Sequence, residues 1–301
     1  MPRDDAPKKG SDRAPVSTGA AGWPAERPTS PMEAVLVSEL PEAPGWQYEP
    51  KWDGFRAIVT RHGTDIEIWS KSGKPLGRYF PEIIEQFRIL PGPTLVLDSE
   101  LVVPVADHLS FDALQARLHP AASRVARLSR ETPAQLILFD CLRIGDIDHG
   151  TQSLTKRRAA LEELHRRIGN ATLLLSPATF DRRQAELWLA KSGGALDGVV
   201  AKPLEQPYQP GVRAMAKVKQ LRTADCVVGG YRKTSRGGVA SLLLGLYDDH
   251  GKLDLVGFSS GFSATERLKM ASALKSHEGG PGFTGRAPGG PSRWNRGKSG
   301  E

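Results

Sequence analysis

The segment Glu49-Pro50-Lys51-Trp52-Asp53-Gly54-Phe55-Arg56 places a lysine two residues ahead of an Asp-Gly turn and an arginine two residues behind it. Asp-Gly is a tight-turn pair, so Lys51 is presented at a reversal of the chain. Its amine can attack the α-phosphate of a nucleotide and hold the nucleotidyl group as a phosphoramidate, which splits one difficult transfer into two easier ones. Arg56 is a planar multi-donor suited to a phosphate or a ribose. Six residues make a moderately specific pattern, and a surface turn beside a strand has the same spelling. The rest of the chain decides between them.

Outward from this turn, Phe55 to Val59 and Asp65 to Trp69 read as paired strands joined at His62-Gly63. Phe80, Ile83, Ile84 and Phe87 recur at helical spacing, which predicts an amphipathic helix over 80–90. Thr94 to Val103 reads as a strand, and Ser110 caps a helix running to about Leu118. Ala134 to Leu142 is a continuous apolar run and therefore a buried strand. Thr155 to Ile168 is a helix with a strongly basic face, and Leu173 to Ser176 a short strand. Asp181 opens a helix ending at Gly193-Gly194, and Asp197 to Lys202 and Ala216 to Lys219 are strands. A second unit begins near Leu221. Its strands are Ala224 to Tyr231, Ser241 to Tyr247 and Leu253 to Ser259, followed by a capping box, Ser263-x-x-Glu266, that starts a helix to about His277. Residues 1–30 are rich in Pro, Gly, Ala, Ser and charge and read as a disordered basic tail.

The 301 residues suffice for one large domain or two ordinary ones. Lys and Arg number 41 against 34 Asp and Glu, and the net charge of +7 favours a polyanionic partner, most simply nucleic acid. Cys141 and Cys226 lie in apolar runs and read as small core hydrophobes in a reducing compartment. There is no Cys/His cluster of zinc spacing, no secretory leader and no apolar stretch long enough for a bilayer. A soluble, cytoplasmic protein is expected.

Further landmarks follow in order. Asp98 and Glu100 lie two apart on a strand and so face the same way. Phe139-Asp140 closes an apolar run, where Phe139 is either a core residue or a stacking platform for a base. Asp197-Gly198-Val199-Val200-Ala201-Lys202 sets an acid at a strand start and a lysine at its end. Lys217 and Lys219 share a strand face, which is costly unless an anion meets them.

Taken together and in this order, these segments resemble the nucleotidyl transferase motif series of ATP-dependent DNA ligases. The Lys51 segment is similar to motif I, Leu97-Asp98-Ser99-Glu100 to motif III and Leu138-Phe139-Asp140 to motif IIIa. The Asp197–Lys202 segment is similar to motif IV and Ala216-Lys217-Val218-Lys219 to motif V. Arg222-Thr223-Ala224-Asp225-Cys226-Val227-Val228 and Leu242-Leu243-Leu244-Gly245-Leu246-Tyr247 resemble short bacterial ligases of the repair and end-joining type.

The resemblance implies an α+β fold. Residues 31–220 would form an ATP-grasp-like adenylation domain of antiparallel sheets with flanking helices, and 221–301 a partial OB-fold β-barrel. It implies ATP as cofactor, with AMP carried covalently on Lys51 and Lys217 and Lys219 neutralising the phosphates. Glu49, Arg56, Lys71, Glu100, Phe139 and Lys202 would bind the nucleotide. Mg²⁺ or Mn²⁺ would be held by Asp197 with help from Glu100. The implied partner is nicked or broken double-stranded DNA, served by a monomer at the nucleoid together with end-joining and repair proteins.

Three substitutions depart from the family pattern. Lys71 stands where an arginine is usual and loses the bidentate fork, Ser99 replaces a glycine, and Asp197 replaces the commoner glutamate. Only three strands are legible after Leu221 where the barrel has five, and Ser292-Arg293-Trp294 looks like the approach to the others. An incomplete barrel without the family's last basic motif is therefore expected. The competing readings are a nucleotide- and DNA-binding remnant that cannot charge Lys51, an RNA ligase or capping-type transferase, and a generic basic nucleic-acid-binding module.

Overall fold

A computed structural model describes residues 30–89, 92, 94–119, 121–193, 196–220 and 223–287. The basic tail over 1–29 and the Ser292-Arg293-Trp294 segment lie outside the described residues. The chain divides into two compact units, Met1–Leu221 and Arg222–Glu301.

The first unit opens with β1 (Glu33–Leu36), β2 (Trp46–Trp52), β3 (Phe55–His62), β4 (Asp65–Ser70) and α1 (Pro81–Ile89). Then come β5 (Leu95–Val102), the small hairpin β6 (Pro104–Val105) and β7 (His108–Leu109), α2 (Phe111–Ala116) and α3 (Ala122–Glu131). It continues with β8 (Gln135–Ile144), β9 (Ile147–Asp148), α4 (Leu154–Ile168), β10 (Leu173–Leu175), α5 (Arg182–Ala190), β11 (Leu196–Pro203) and β12 (Arg213–Val218). Two sheets result: β10-β8-β5-β3-β4, with β9 on β8, and β1-β12-β11-β2. The pairs β1–β12 and β10–β8 run parallel; the other pairs in these sheets are antiparallel. The β1 and β2 strands and α3 were not legible as elements, because Glu33–Leu36 is short and α3 is mostly polar.

Period-2 alternation explains how the sheets pack. Ala57, Val59, Leu95 and Leu97 point to the large core of the six-stranded sheet, with Phe80, Ile83 and Phe87 around α1 and Leu161, Leu164 and Ile168 of α4. Their neighbours Ile58 and Val96 point the other way, to Met32, Tyr208 and Met215. In the four-stranded sheet, Tyr48, Val199, Ala201, Ala216 and Val218 pack with Ala185 of α5. The alternate residues of that sheet face the six-stranded sheet, and a cavity opens between the two.

Two small irregularities shape that cavity. Opposite β5, Asp98 pairs with Asp140 and Ser99 with Leu138, so Phe139 is an extra, bulged residue. Opposite β11, Trp52 pairs with Leu196 and Lys51 with Gly198, so Asp197 is bulged in the same way. A bulge re-aims a side chain out of simple alternation.

The second unit is described by itself: the antiparallel sheet β13 (Val227–Lys233), β14 (Val239–Tyr247) and β15 (Leu253–Ser259), then α6 (Ala264–Lys275). Its N-terminus is the capping box read in the sequence, with Ser263 Oγ accepting from the Glu266 amide and Glu266 accepting from that of Ser263. Among the described residues no helix is long and apolar enough to cross a membrane.

Candidate active site

The β2 strand carries Gln47, Glu49 and Lys51 on one face, β11 carries Val200 and Lys202, and β12 carries Met215 and Lys217. These alternating residues, apart from Gln47, line a cavity of about 270 Å³ together with Lys71, Arg56, Glu100, Phe139 and Lys219. Nine of the ten residues singled out from sequence therefore meet around one cavity. The tenth, Asp197, reaches it through its ion pairs.

Asp197 Oδ2 lies 2.6 Å from Lys51 Nζ and 2.6 Å from Lys219 Nζ. Partial burial pushes its pKa up, but the hydrogen bonds from Lys219 and Lys51 prevail and hold the carboxyl below its usual range. One carboxylate thus gathers the candidate nucleophile and a second ammonium. The Lys51 ammonium must give up that contact and a proton before its nitrogen can act as a nucleophile. The bulge that aims Asp197 depends on Gly198, whose φ is +145° and whose absent Cβ would stand 2.0 Å from the Val218 carbonyl. Gly54 serves similarly at the other Asp-Gly pair, since a Cβ there would meet Leu101 O at 2.2 Å. Lys219 stands just past the end of β12 rather than on it.

The Lys217 ammonium forms no ion pair or side-chain hydrogen bond with the described residues. Burial and the charges of Lys51, Lys219, Lys71 and Arg213 lower its pKa. A crowd of ammonium groups around a cavity is stabilised by an incoming polyanion. At the mouth, Lys71 Nζ is 3.1 Å from Glu33, a wall residue that the sequence did not reveal.

The rest of the lining is built from buried pairs. Arg56 donates from Nε and Nη2 to Asp98 at 2.5 and 2.6 Å, and from Nη2 to Met32 O at 3.2 Å. Its guanidinium lies 4.7 Å from the Phe139 ring centroid, and Lys202 Nζ is also 4.7 Å from it. Lys202 donates to Glu49 at 2.9 Å and to Phe139 O at 3.1 Å, while Gln47 Nε2 donates to Glu49 at 2.7 Å. Gln47 was missed, although it stands two before Glu49 in the same alternation as Lys51. Glu100 shares the Asp98 face, and burial pushes its pKa up to about 7 against the pull of Arg56 and Lys51. Arg157 departs from the expected basic helix face: it turns inward, Nε to Asp140 at 2.7 Å and Nη2 at 3.1 Å.

Among the described residues there is no cluster of three or more His, Cys, Asp or Glu side chains placed to hold a metal ion. Asp197 and Glu100 supply two carboxylates. That fits a hard cation of the Mg²⁺ type, which takes one or two protein carboxylates and completes its shell with phosphate oxygens and water. The donor set suits a cation shared with a nucleotide, not one caged by protein alone.

Comparison with known proteins agrees with this chemistry. The family profile described as ATP dependent DNA ligase domain matches residues 31–219. DNA ligase C2 of Mycolicibacterium smegmatis is 45% identical over 288 residues, covering 90% of this chain and 80% of the relative. DNA ligase C of Mycobacterium tuberculosis is 43% identical over 258 residues, covering 84% and 72%. The crystal structure of the ligase domain from M. tuberculosis LigD is similar in fold, with a TM-score of 0.51 at 26% identity over 86% of this chain and 82% of that one.

Proposed function

The chain belongs to the ATP-dependent DNA ligase family, and we propose on that footing that Lys51 is the residue charged with AMP. The observation that carries this assignment is the meeting of Lys51, Lys217 and Lys219 around one cavity, with Asp197 bonded to two of the three. ATP enters with its phosphates among the lysines and its base toward Phe139 and Glu49. The Lys51 ammonium first gives up a proton to solvent; its free amine then bonds to the α-phosphorus as the bond to the β-phosphate oxygen breaks, the nitrogen loses a second proton to solvent, and pyrophosphate leaves. Lys217 and Lys219 stabilise the charge that builds on the phosphates. Arg56, Lys71 and Lys202 hold the nucleotide and its walls. Asp197 and Glu100 would hold a divalent cation, Mg²⁺ or Mn²⁺, which supplies charge neutralisation and orientation of phosphate oxygens.

AMP then passes to the 5′-phosphate of a DNA break, and the 3′-hydroxyl displaces it to seal the strand. The three strands and α6 of the second unit read as OB-fold elements that follow the DNA backbone. A monomer working with end-binding repair proteins is part of this reading. Relatives named DNA ligases do not favour an RNA ligase or a capping enzyme.

The test is incubation with α-labelled ATP and Mg²⁺ or Mn²⁺ followed by denaturing electrophoresis. A labelled, acid-labile band is expected from the native chain and none from Lys51→Ala of unchanged melting temperature. Label persisting on Lys51→Ala would sink the assignment. Sealing of a pre-adenylylated nick by Lys51→Ala is expected to continue, because that step no longer needs the amine.

A further inference from the structure

Tyr208 lies in the loop between β11 and β12, outside every segment that carries the nucleotide chemistry. It is nonetheless buried, and both of its hydroxyl contacts lead to the cavity wall. The hydroxyl donates to Asp98 Oδ2 at 2.5 Å and accepts from the Met32 amide at 2.8 Å. Asp98 is the bidentate partner of Arg56, and Met32 and Arg56 both line the cavity. Burial, then the Asp98 charge, push the phenol well above its usual range, so it stays an O–H donor.

The loop itself is firmly held. The amides of Leu154 and Thr155 at the start of α4 donate to the carbonyls of Gln206 and Leu204 at 3.1 and 3.2 Å. Arg157 Nη1 donates to Gln206 O at 3.0 Å, and its guanidinium stands 5.7 Å from the Tyr208 ring centroid. The Tyr208 amide donates to Gly150 O at 2.9 Å. A fixed backbone, a ring packed in the core between the sheets and a polar tip on Asp98 form one continuous path to Arg56.

We propose that Tyr208 is a positioning residue for nucleotide binding, fixing the aim of Arg56 by holding Asp98 and the Met32 amide in place. This rests on the reading of the cavity as a nucleotide site. A two-point Arg–carboxylate pair still swings as a unit, because the carboxylate turns about its own side-chain bonds. A third hydrogen bond on Asp98 removes that freedom, and pre-organisation of this kind is what a binding arginine needs to spend little entropy on its ligand. Packing alone does not call for the hydroxyl, since a phenylalanine ring fills the same core volume.

The experiment measures equilibrium ATP binding on chains that also carry Lys51→Ala, so that no transfer takes place. Four backgrounds are compared: no further change, Tyr208→Phe, Arg56→Lys, and both. Tyr208→Phe is expected to weaken binding about 10-fold, the size of one lost hydrogen bond to a charged group. Added to Arg56→Lys, it is expected to weaken binding less than about 2-fold, because neighbouring residues that act through one contact are not additive. Equal 10-fold losses in both backgrounds, or no loss in either, would overturn the proposal. If Tyr208→Phe melts too early to assay, 3-fluorotyrosine at 208 replaces it. That variant keeps the O–H and is expected to bind like the unmodified chain, and a 10-fold loss would overturn the proposal equally. The parent reading falls on labelling at Lys51 and this one on the coupling, so the two fail separately.

Discussion

Two charged clusters around the cavity hold their charges differently. On the four-stranded sheet, the Lys51, Asp197 and Lys219 side chains remain 24%, 30% and 34% exposed, and one carboxylate oxygen serves two ammonium groups. On the six-stranded sheet, Asp98 is 0% exposed and Asp140 4%, each fixed by its own arginine through two hydrogen bonds. Groups that must change partners during a reaction sit where water and ligand can take over their contacts. Groups that set a direction sit where breaking a contact is expensive. The same residue types are thus held loosely where the proposed reaction asks them to change partners and tightly where they set geometry, as they also are in the buried Glu49–Lys202 pair of the four-stranded sheet.

Substitutions can break this contrast, beginning with the largest effect. Asp98→Ala leaves the Arg56 guanidinium without its partner and is expected to cost about 3–5 kcal/mol, read by denaturant unfolding. A loss under 1 kcal/mol would mean that the fixed cluster is no firmer than the other. Asp197→Asn should reverse the pattern: adenylylation falls at least about 100-fold, the scale of removing one electrostatic anchor. Stability should change by less than about 1 kcal/mol, as for a partly exposed pair. Lys219→Ala is expected to slow transfer about 10-fold at saturating ATP, with half-saturation nearly unchanged. An unaltered rate would make this lysine structural.

The smallest effect sharpens the contrast through pH. Glu100 is raised from the ordinary 4.5 to about 7, chiefly by burial. An acid with a raised folded-state pKa contributes stability that is full below about 4.5 and is lost as pH rises through about 7. Glu100→Gln removes that dependence. In chelating buffer its melting temperature should therefore gain on the unmodified chain between pH 4.5 and 7.5. A constant difference across that range would contradict the shift.

Much of this site was legible because its residues alternate along strands or follow a fixed order. Glu49 and Lys51, Asp98 and Glu100, and Lys217 could be placed from spacing and motif order. The bulges were not legible: nothing in Leu138-Phe139-Asp140 or Leu196-Asp197-Gly198 shows that Phe139 and Asp197 are the extra residues opposite their partner strands. Nor was Tyr208, whose role depends on Asp98 and Met32, 110 and 176 positions away. Arg157 was read only as part of a strongly basic helix face, because such a pattern does not reveal which cation finds a buried carboxylate. In the second unit the strand pattern was plain, and Val256 and Phe258 of β15 lie on one alternating face that remains exposed although apolar.

The most direct measurement is tandem mass spectrometry of the protein after incubation with ATP and Mg²⁺, with the modified residue located by fragmentation. The account predicts a single adenylyl group on Lys51. An adenylyl group on Lys217 or Lys219 instead, with Lys51 unmodified, would contradict it.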